Sequence, residues 1–197
     1  MGKKQISTTI TSSKKIIVII VVYVFILFIQ QQRYFMWYPT IPIYPDNNKE
    51  IDFMVKEYIN KRTQADIDLF YLTDVNPMDA FKSKITEEQY KLLNEIVESK
   101  RELIVPLCKI IFNRARPSKI APEKVNALKS ITSGNPSYPS GHAFRAFYTA
   151  KLLSNWEPAK KKEWDEIAER ASFVRVYTGI HYPSDVEFAR RLVMKID

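Results

Sequence analysis

The chain contains two histidines, His142 and His181, and each lies in a short stretch whose other residues could handle phosphate. His142 follows Ser140–Gly141, where Pro139 ends the preceding segment, Ser140 can cap a helix, and an apolar-periodic run comes next. The first turn of a helix offers unpaired backbone N–H groups and the positive end of the macrodipole, which together favour a bound phosphate. Taken alone, however, a capped helix with one histidine is more often structural.

Upstream, Lys109 and Arg116 supply two cations at a spacing of seven residues. Seven residues make two helical turns, so one helix would carry both side chains on the same face, about 10 Å apart along its axis. Such a helix could aim an ammonium and a guanidinium into one cavity, whereas Arg114 would point elsewhere.

Downstream, the third stretch contains Arg175, His181 and Asp185. Arg175 lies near the end of an expected helix, and His181 follows a bend at Gly179. Asp185 comes four residues later, in the first turn of the last helix. Each group alone also fits a structural role, such as a solvated helix face or an acid favoured by the helix dipole. Their combination within residues 109–185 supplies three cations, two histidines and one acid, which predicts phosphoryl transfer without a metal ion.

Helices must position these residues, because the pattern from Asp46 onward is helical almost throughout. Apolar residues recur at helical spacing, strand alternation and hairpin signals are absent, and the chain has only four glycines. Thr86–Gln89 fits a capping box and Ser99–Glu102 a second one, with Pro106 as a kink in the helix that follows. The predicted fold class is therefore all-α, a helical bundle.

The formal charge of +8 comes mainly from the N-terminal part of the chain. Residues 1–45 hold five basic and no acidic side chains, whereas the remainder has 25 basic and 22 acidic ones. With no basic stripe and no aromatic–glycine RNA signature, this distribution argues against a nucleic-acid partner. The single cysteine, Cys108, excludes an internal disulfide framework and a cysteine-based metal site.

An unbroken apolar run, Ile16–Ile29, follows two lysines. As a helix its fourteen residues span about 21 Å, short of a hydrocarbon core of about 30 Å, and this length also fits a signal peptide. Residues 34–38, four of which are aromatic, follow in place of a small-residue cleavage site, which favours an uncleaved transmembrane signal anchor over a cleaved signal or a buried core helix. The preceding lysines predict a cytoplasmic N-terminus and an extracytoplasmic domain.

Pro39, Pro42 and Pro45 then predict a stiff, extended linker. We therefore expect three parts in the chain. The cytoplasmic tail and anchor occupy residues 1–33, the Pro-rich linker residues 34–45, and the helical domain residues 46–197.

The three stretches together resemble the type 2 phosphatidic acid phosphatases, a superfamily that also contains bacterial non-specific acid phosphatases and the vanadium haloperoxidases. The family pattern is Lys-x6-Arg-Pro, then Pro-Ser-Gly-His, then Ser-Arg-x5-His-x3-Asp. The first motif is complete over residues 109–117 and the second over 139–142, whereas Val174 replaces the serine of the third. The match covers roughly residues 100–192.

The resemblance implies a role for each motif residue. His181 would be the nucleophile that forms a phosphohistidine, and Asp185 would hold its other ring nitrogen. His142 would protonate the leaving oxygen and then activate water. The phosphate would be held by Lys109, Arg116, Ser140, Gly141 and Arg175. Because cations replace Mg²⁺, the resemblance implies neither a metal nor another cofactor.

The leading hypothesis is a membrane-tethered phosphomonoesterase, and two alternatives stay open. One is a vanadate-dependent haloperoxidase, and the other is an inactive anion-binding membrane protein. A single apolar run leaves the active site in water beyond the bilayer, which favours soluble phosphate esters, although lipid headgroups and diphosphates stay within reach. No oligomeric state is predicted.

Overall fold

The computed structural model describes residues 15–25, 33–40 and 42–196. Residues 42–196 form α1 (Asn47–Glu57), α2 (Gln64–Thr73), α3 (Glu87–Phe112), α4 (Pro117–Ile120), α5 (Gly141–Trp156), α6 (Lys161–Tyr177) and α7 (Pro183–Met194). Short 3₁₀ segments lie between them at Ile59–Lys61, Pro77–Lys84 and Pro158–Lys160. Within the described ranges, the only strand-like pairing is an isolated bridge between Tyr34 and Arg114, which confirms the all-α prediction.

Helix α5 lies at the centre of the bundle, in contact with α3, α6 and α7. It buries residues on every side, as a helix surrounded by other helices must. Trp164 of α6 and Phe81 of the second 3₁₀ segment lie in the same core, with ring centroids 6.5 Å apart. Since His142 is the second residue of α5, this packing fixes the position of its backbone.

Two helix starts follow the capping chemistry expected from the sequence. Thr86 caps α3 and exchanges hydrogen bonds with Gln89, which confirms the first capping box. Ser140 caps α5 by accepting a hydrogen bond from the Ala143 N–H at 3.2 Å. The side chain of Ser140 thus satisfies one of the free N–H groups at the start of the central helix.

Helix α3 differs from the prediction along its length and at its end. It runs unbroken through Ser99–Glu102, so the second capping box is wrong, and Pro106 lies inside the helix. At the C-terminus Asn113 adopts a left-handed conformation with φ 44°, which asparagine tolerates better than most residues. The expectation that Lys109 and Arg116 share one helix face is therefore wrong, because the helix ends between them.

Arg33 and the described residues of the expected linker, 34–45, make hydrogen bonds to the end of α3 and the residues after it. The Phe35 N–H donates to the Asn113 carbonyl at 2.9 Å, and the Ala115 N–H donates to the Arg33 carbonyl at 3.0 Å. Tyr44 is buried, with its ring centroid 4.6 Å from the guanidinium carbon of Arg114. These contacts attach the N-terminal segment to the domain immediately beside the first motif.

The expected anchor, residues 16–29, is described only in part. Residues 15–25 are helical with exposed side chains, whereas residues 26–29 lie outside the described ranges. Among the described residues, no helix combines the length and the apolar character that crossing a bilayer requires.

Candidate active site

His181 and Asp185 form a buried pair at the start of α7. His181 Nδ1 lies 2.9 Å from Asp185 Oδ2. Because a carboxylate only accepts hydrogen bonds, Nδ1 carries the hydrogen and Nε2 keeps its lone pair. The Arg116 guanidinium lies 3.4 Å from this Nε2, and the Arg175 carbonyl accepts from the His181 N–H at 3.1 Å. The ring is therefore held in one tautomer with its free nitrogen beside a cation.

Several donors keep the Asp185 carboxylate ionised. Oδ2 also accepts from the Ser137 hydroxyl and from the Tyr182 N–H at 3.0 Å, while Oδ1 accepts from Arg114 Nη1 at 2.8 Å. Burial by itself would raise the pKa of Asp185, but Arg114, His181 and Ser137 together hold that pKa below its usual range. The charged carboxylate can therefore orient His181 and stabilise positive charge on its ring.

Arg114 connects Asp185 to the first helix of the bundle. Its Nη2 donates to Glu50 Oε2 at 2.7 Å, and its guanidinium carbon lies 3.5 Å from the centroid of the Tyr182 ring. Glu50 accepts in turn from the Ser184 N–H at 2.7 Å, in the first turn of α7. The side chain of Arg114 is fully buried. The helical spacing predicted that Arg114 points away from Lys109 and Arg116. The contacts of Arg114 with Asp185 and Glu50 were therefore not expected from the sequence.

We expect Arg114→Met to lower the free energy of unfolding at neutral pH by about 3–5 kcal/mol, because the buried carboxylate of Asp185 and the largely buried one of Glu50 lose their cation. In the wild type, Asp185 contributes stability above the usual aspartate pKa of about 3.9, and this contribution is lost as the pH falls. The difference in the free energy of unfolding between the variant and the wild type should therefore narrow below about pH 4. Urea titrations of both proteins at a series of pH values measure this difference.

The matched control for this prediction removes one of the two carboxylates. Glu50→Gln in the Arg114→Met background should recover part of the lost stability, since one uncompensated charge is gone. A difference between Arg114→Met and wild type that stays constant from neutral to acidic pH would rule out the charge pairing as its cause.

A cavity of about 650 Å³ lies in front of His181. Its lining includes Lys109 and Arg116 of the first motif, Gly141 and His142 of the second, and His181 of the third. The lining also includes the apolar and aromatic residues Phe35, Met36, Tyr38, Val105, Pro106, Ile110 and Ile131. The structure therefore brings both histidines and two of the three predicted cations to one cavity.

Lys109 and Arg116 are buried cations at this cavity. Lys109 Nζ donates to the Pro136 carbonyl, and Arg116 donates to the Asn135 carbonyl at 2.9 Å and to the Ile180 carbonyl at 2.8 Å. Burial lowers the pKa of Arg116 to about 10, and burial together with the charge of Arg116 lowers the pKa of Lys109 well below its usual value. Two poorly solvated cations at one cavity favour a bound anion.

The Ser140–Gly141 turn is attached to the same end of the site. The Ser140 N–H donates to the Asp185 carbonyl at 3.1 Å, while the Ser140 side chain is fully buried as the cap of α5. Gly141 lines the cavity. The first turn of α5 therefore borders the space where phosphate is expected, with its dipole favouring a negative charge there.

His142 is fixed by a hydrogen bond to Asp74. Its Nε2 lies 2.8 Å from the Asp74 carbonyl oxygen, so Nε2 carries a hydrogen and Nδ1 is left to exchange a proton. Burial, followed by the charges of Arg175 and Arg145, holds the pKa of His142 well below its usual value. Burial is also the main cause that lowers the pKa of His181 to about 3. Both rings are therefore neutral in the unliganded protein at neutral pH.

Arg175, the third predicted phosphate-binding cation, does not line the cavity. Its guanidinium donates to the Asp74 carboxylate at 3.3 Å and to the Thr73 hydroxyl, and lies 4.7 Å from the centroid of the Phe70 ring. Asp74 thus holds Arg175 through its carboxylate and His142 through its carbonyl. The Nε of Arg175 is buried and has no hydrogen-bond partner among the described residues. Its role as a phosphate ligand stays a prediction.

The residues that support the site from outside the motifs were missed in the sequence. Ser137 had a weak signal, because it lies three residues before Ser140 at the same turn. Asn135, which also binds Arg116 through its side chain at 3.1 Å, belongs to the same loop. Glu50 and Asp74 come from other elements and carry no motif, so only the fold reveals their contacts.

Comparison with known sequences finds two matches to the part of the chain that contains these motifs. A sequence model described as the PAP2 superfamily matches residues 96–192. The non-specific acid phosphatase of Providencia stuartii is 33% identical over 121 residues, which make up 57% of this chain and 48% of that protein. The chain therefore spans about half the length of this curated relative.

Comparison with solved structures shows the fold. LpxE of Aquifex aeolicus superimposes with a TM-score of 0.57 at 24% identity, over 79% of this chain and 94% of that one. A transmembrane PAP2 type phosphatidylglycerolphosphate phosphatase from Bacillus subtilis gives a TM-score of 0.49 at 18% identity, over 90% of each chain. The likeness to the Aquifex protein shows a shared helical architecture.

Proposed function

We propose that the protein, whose residues 96–192 match a sequence model of the PAP2 superfamily, is a metal-independent phosphatase acting on phosphate monoesters through a phosphohistidine. The observation that carries this proposal is the buried His181–Asp185 pair, with Nδ1 2.9 Å from the carboxylate and Nε2 beside Arg116 at the cavity. A ring nitrogen held this way is an oriented nucleophile. The likeness to an acid phosphatase supports the same reaction class.

In the first step, His181 Nε2 attacks phosphorus and the bond from phosphorus to the ester oxygen breaks. Lys109 and Arg116 neutralise the non-bridging oxygens, helped by the first turn of α5. Asp185 stabilises the positive charge that develops on the His181 ring. His142 gives a proton to the departing oxygen, so that an alcohol leaves and the phosphate stays on His181.

In the second step, a water molecule replaces the alcohol. His142, now deprotonated, takes a proton from the water as its oxygen attacks phosphorus. The bond between phosphorus and His181 Nε2 breaks, inorganic phosphate is released, and the ring returns to its neutral form. His181 is then neutral, and His142 again carries the proton that it held when substrate was bound; this proton is released when phosphate leaves.

Binding of the substrate favours the protonated form of His142 that the first step needs. His142 must carry a second proton to act as an acid, yet burial lowers its pKa in the empty site. A phosphate dianion bound beside the ring favours the imidazolium and raises that pKa. The Asp74 carbonyl, 2.8 Å from Nε2, supports the charged ring as well. The proton is therefore taken up together with substrate.

We expect activity to persist in EDTA and orthovanadate to inhibit competitively. Vanadate adopts the five-coordinate geometry of an in-line transfer, so a histidine with two cations should bind it about 10²-fold or more tightly than phosphate. Initial rates with p-nitrophenyl phosphate at several vanadate concentrations measure the inhibition. Lys109→Gln should weaken it, whereas Lys129→Gln, at an exposed position outside the cavity, should leave it unchanged. Activity that is lost on chelation and restored by Mg²⁺ or Zn²⁺ is incompatible with the mechanism.

The apolar run of residues 16–29 is proposed as a membrane anchor, with the helical domain on the extracytoplasmic side. The support is the exposed apolar surface of the helical residues 15–25 and the lysines that precede them. An alkaline carbonate wash should leave the full chain in the membrane pellet. Val18→Lys/Val22→Lys should shift it toward the supernatant, because two charges oppose burial in hydrocarbon. Release of the unmodified chain would exclude the anchor.

A further inference from the structure

Exposed apolar side chains border the mouth of the active-site cavity. On α3, Leu103, Leu107 and Ile110 are 71%, 57% and 59% exposed and follow one stripe of the helix. Ile110 lines the cavity, as does Ile131 of the loop after α4, which is 82% exposed. We define the apolar rim as Met36, Trp37, Leu103, Leu107, Ile110 and Ile131.

The N-terminal segment contributes the rest of this rim. Met36 lines the cavity and is 42% exposed, and Trp37 is 77% exposed. The Tyr38 hydroxyl donates to the Ile110 carbonyl at 3.1 Å, so this segment lies against the exposed stripe of α3. Single exposed apolar residues are ordinary, but several around one opening form a patch that marks contact with another apolar body.

The position of the apolar run limits which kind of surface the apolar rim can contact. The run ends at Ile29, four residues before Arg33, whose carbonyl is bound by the Ala115 N–H at 3.0 Å. Four residues span at most about 14 Å even when fully extended. A run anchored in a bilayer would therefore hold the edge of the cavity at Ala115–Arg116 close to the membrane surface.

A bilayer also fits the rim better than a protein partner does. A protein seated on both α3 and the Ile131 loop would cover the cavity mouth and block substrate. A lipid surface accepts apolar side chains into its interface and presents its own headgroups to the opening. Trp37 and Tyr38 have the amphipathic aromatic character found at such interfaces.

We propose that the apolar rim docks on the surface of a lipid bilayer, so that the mouth of the active-site cavity faces the membrane. This inference rests on the proposed anchor and the proposed phosphatase activity. In this proposal the rim sets the orientation of the domain on the membrane. The anchor alone limits only the distance between the domain and the bilayer and leaves open which face of the domain is turned to the lipid. Phosphate esters displayed on the membrane would then enter the cavity directly.

Depth measurements on the full chain in phosphatidylcholine vesicles test the docking. In a Cys108→Ser background, a nitroxide label is attached at Leu107→Cys on the rim or at Leu72→Cys, an equally exposed leucine of α2. Collisions with oxygen and with a water-soluble nickel chelate report depth. The label at position 107 should be shielded from nickel and accessible to oxygen, and the label at position 72 the reverse. Equal accessibility to nickel at the two positions would overturn the proposal.

Activity measurements provide a second test, in which a pair of leucines on the rim and a matched pair elsewhere are substituted. Leu103→Ser/Leu107→Ser should lower hydrolysis of phosphatidic acid in vesicles by about tenfold, because apolar area is lost from the interface. The same variant should keep its activity on p-nitrophenyl phosphate in detergent. Leu72→Ser/Leu92→Ser should change neither. Loss on both substrates, or on neither, contradicts docking through the rim.

The depth and activity measurements together distinguish failure of the docking proposal from failure of the proposed function. If the wild type hydrolyses neither phosphatidic acid nor p-nitrophenyl phosphate, the phosphatase proposal fails. The label depths at positions 107 and 72 would still decide whether the rim lies on lipid, because they need no turnover.

Discussion

Substitution of His181 by alanine is expected to abolish phosphatase activity on every substrate. The ring nitrogen that would attack phosphorus disappears, and no other described group occupies its place beside Arg116. Enzymes that lose a covalent nucleophile lose roughly 10⁵-fold or more in turnover. We expect kcat for p-nitrophenyl phosphate to fall on that scale, and an alkyl phosphate should also lose its turnover because both esters need the same nucleophile in the first step.

Two controls separate lost chemistry from lost structure. His181→Ala should still bind orthovanadate, although more weakly, because Lys109 and Arg116 remain. Asp185→Asn should keep the nucleophile but impair its orientation and charge, so it should retain more activity than His181→Ala. A His181→Ala protein that keeps a few per cent of the wild-type kcat would show that another group attacks phosphorus.

Substitution of His142 by alanine is expected to produce a loss that depends on the leaving group. Aryl phosphates leave as stable anions, so the first step should lose comparatively little. Alkyl phosphates need the proton, and their hydrolysis should fall by a further 10²–10⁴-fold, on the order typical of general acid catalysis. Steady-state rates for p-nitrophenyl phosphate and an alkyl phosphate of similar size measure the difference.

The test of His142 depends on which step is observed. Its removal also deprives the second step of a base, so the steady-state rate with the aryl ester can fall although the first step stays fast. A burst of p-nitrophenol in stopped-flow experiments should therefore precede slow turnover. Equal losses on aryl and alkyl esters with no burst would remove His142 from the role of acid.

Local sequence patterns predicted the parts of this site that depend on neighbouring residues. Ser140 was expected to cap α5 and does so, because capping needs only the next three residues. The family resemblance, rather than the spacing, implied that Asp185 holds the ring of His181, and their side chains lie 2.9 Å apart at the start of α7. The helical periodicity likewise predicted the all-α class, since it follows from the local spacing of apolar residues.

The sequence did not predict one helix end or the contacts between distant elements. Lys109 and Arg116 were placed on one helix by their spacing, but a left-handed Asn113 ends the helix between them. Periodicity does not distinguish a helix that continues from one that stops at an asparagine. Glu50 is more than a hundred residues from Ser184, so its hydrogen bonds there could not be read from any local pattern.

Arg175 illustrates a limit of reasoning from a motif. The family pattern implies that this side chain binds phosphate, yet in the unliganded protein it is bound to Asp74 and Thr73 and lies outside the cavity lining. Burial lowers its pKa to about 9, only partly opposed by the Asp74 carboxylate. A motif specifies which residue types are present and leaves open which partner each side chain takes when the site is empty.

The most direct test of the proposed mechanism is to trap phosphate on His181. The His142→Ala protein is mixed with a ³²P-labelled aryl phosphate and quenched within milliseconds, at a point where the first step has occurred and hydrolysis is slow. We expect label on the protein that is stable in alkali and lost in acid, as a phosphohistidine is, and that maps to the peptide containing His181. The His142→Ala/His181→Ala protein should carry none. Turnover of the aryl ester without label on His181, or label on another residue, would contradict the covalent mechanism.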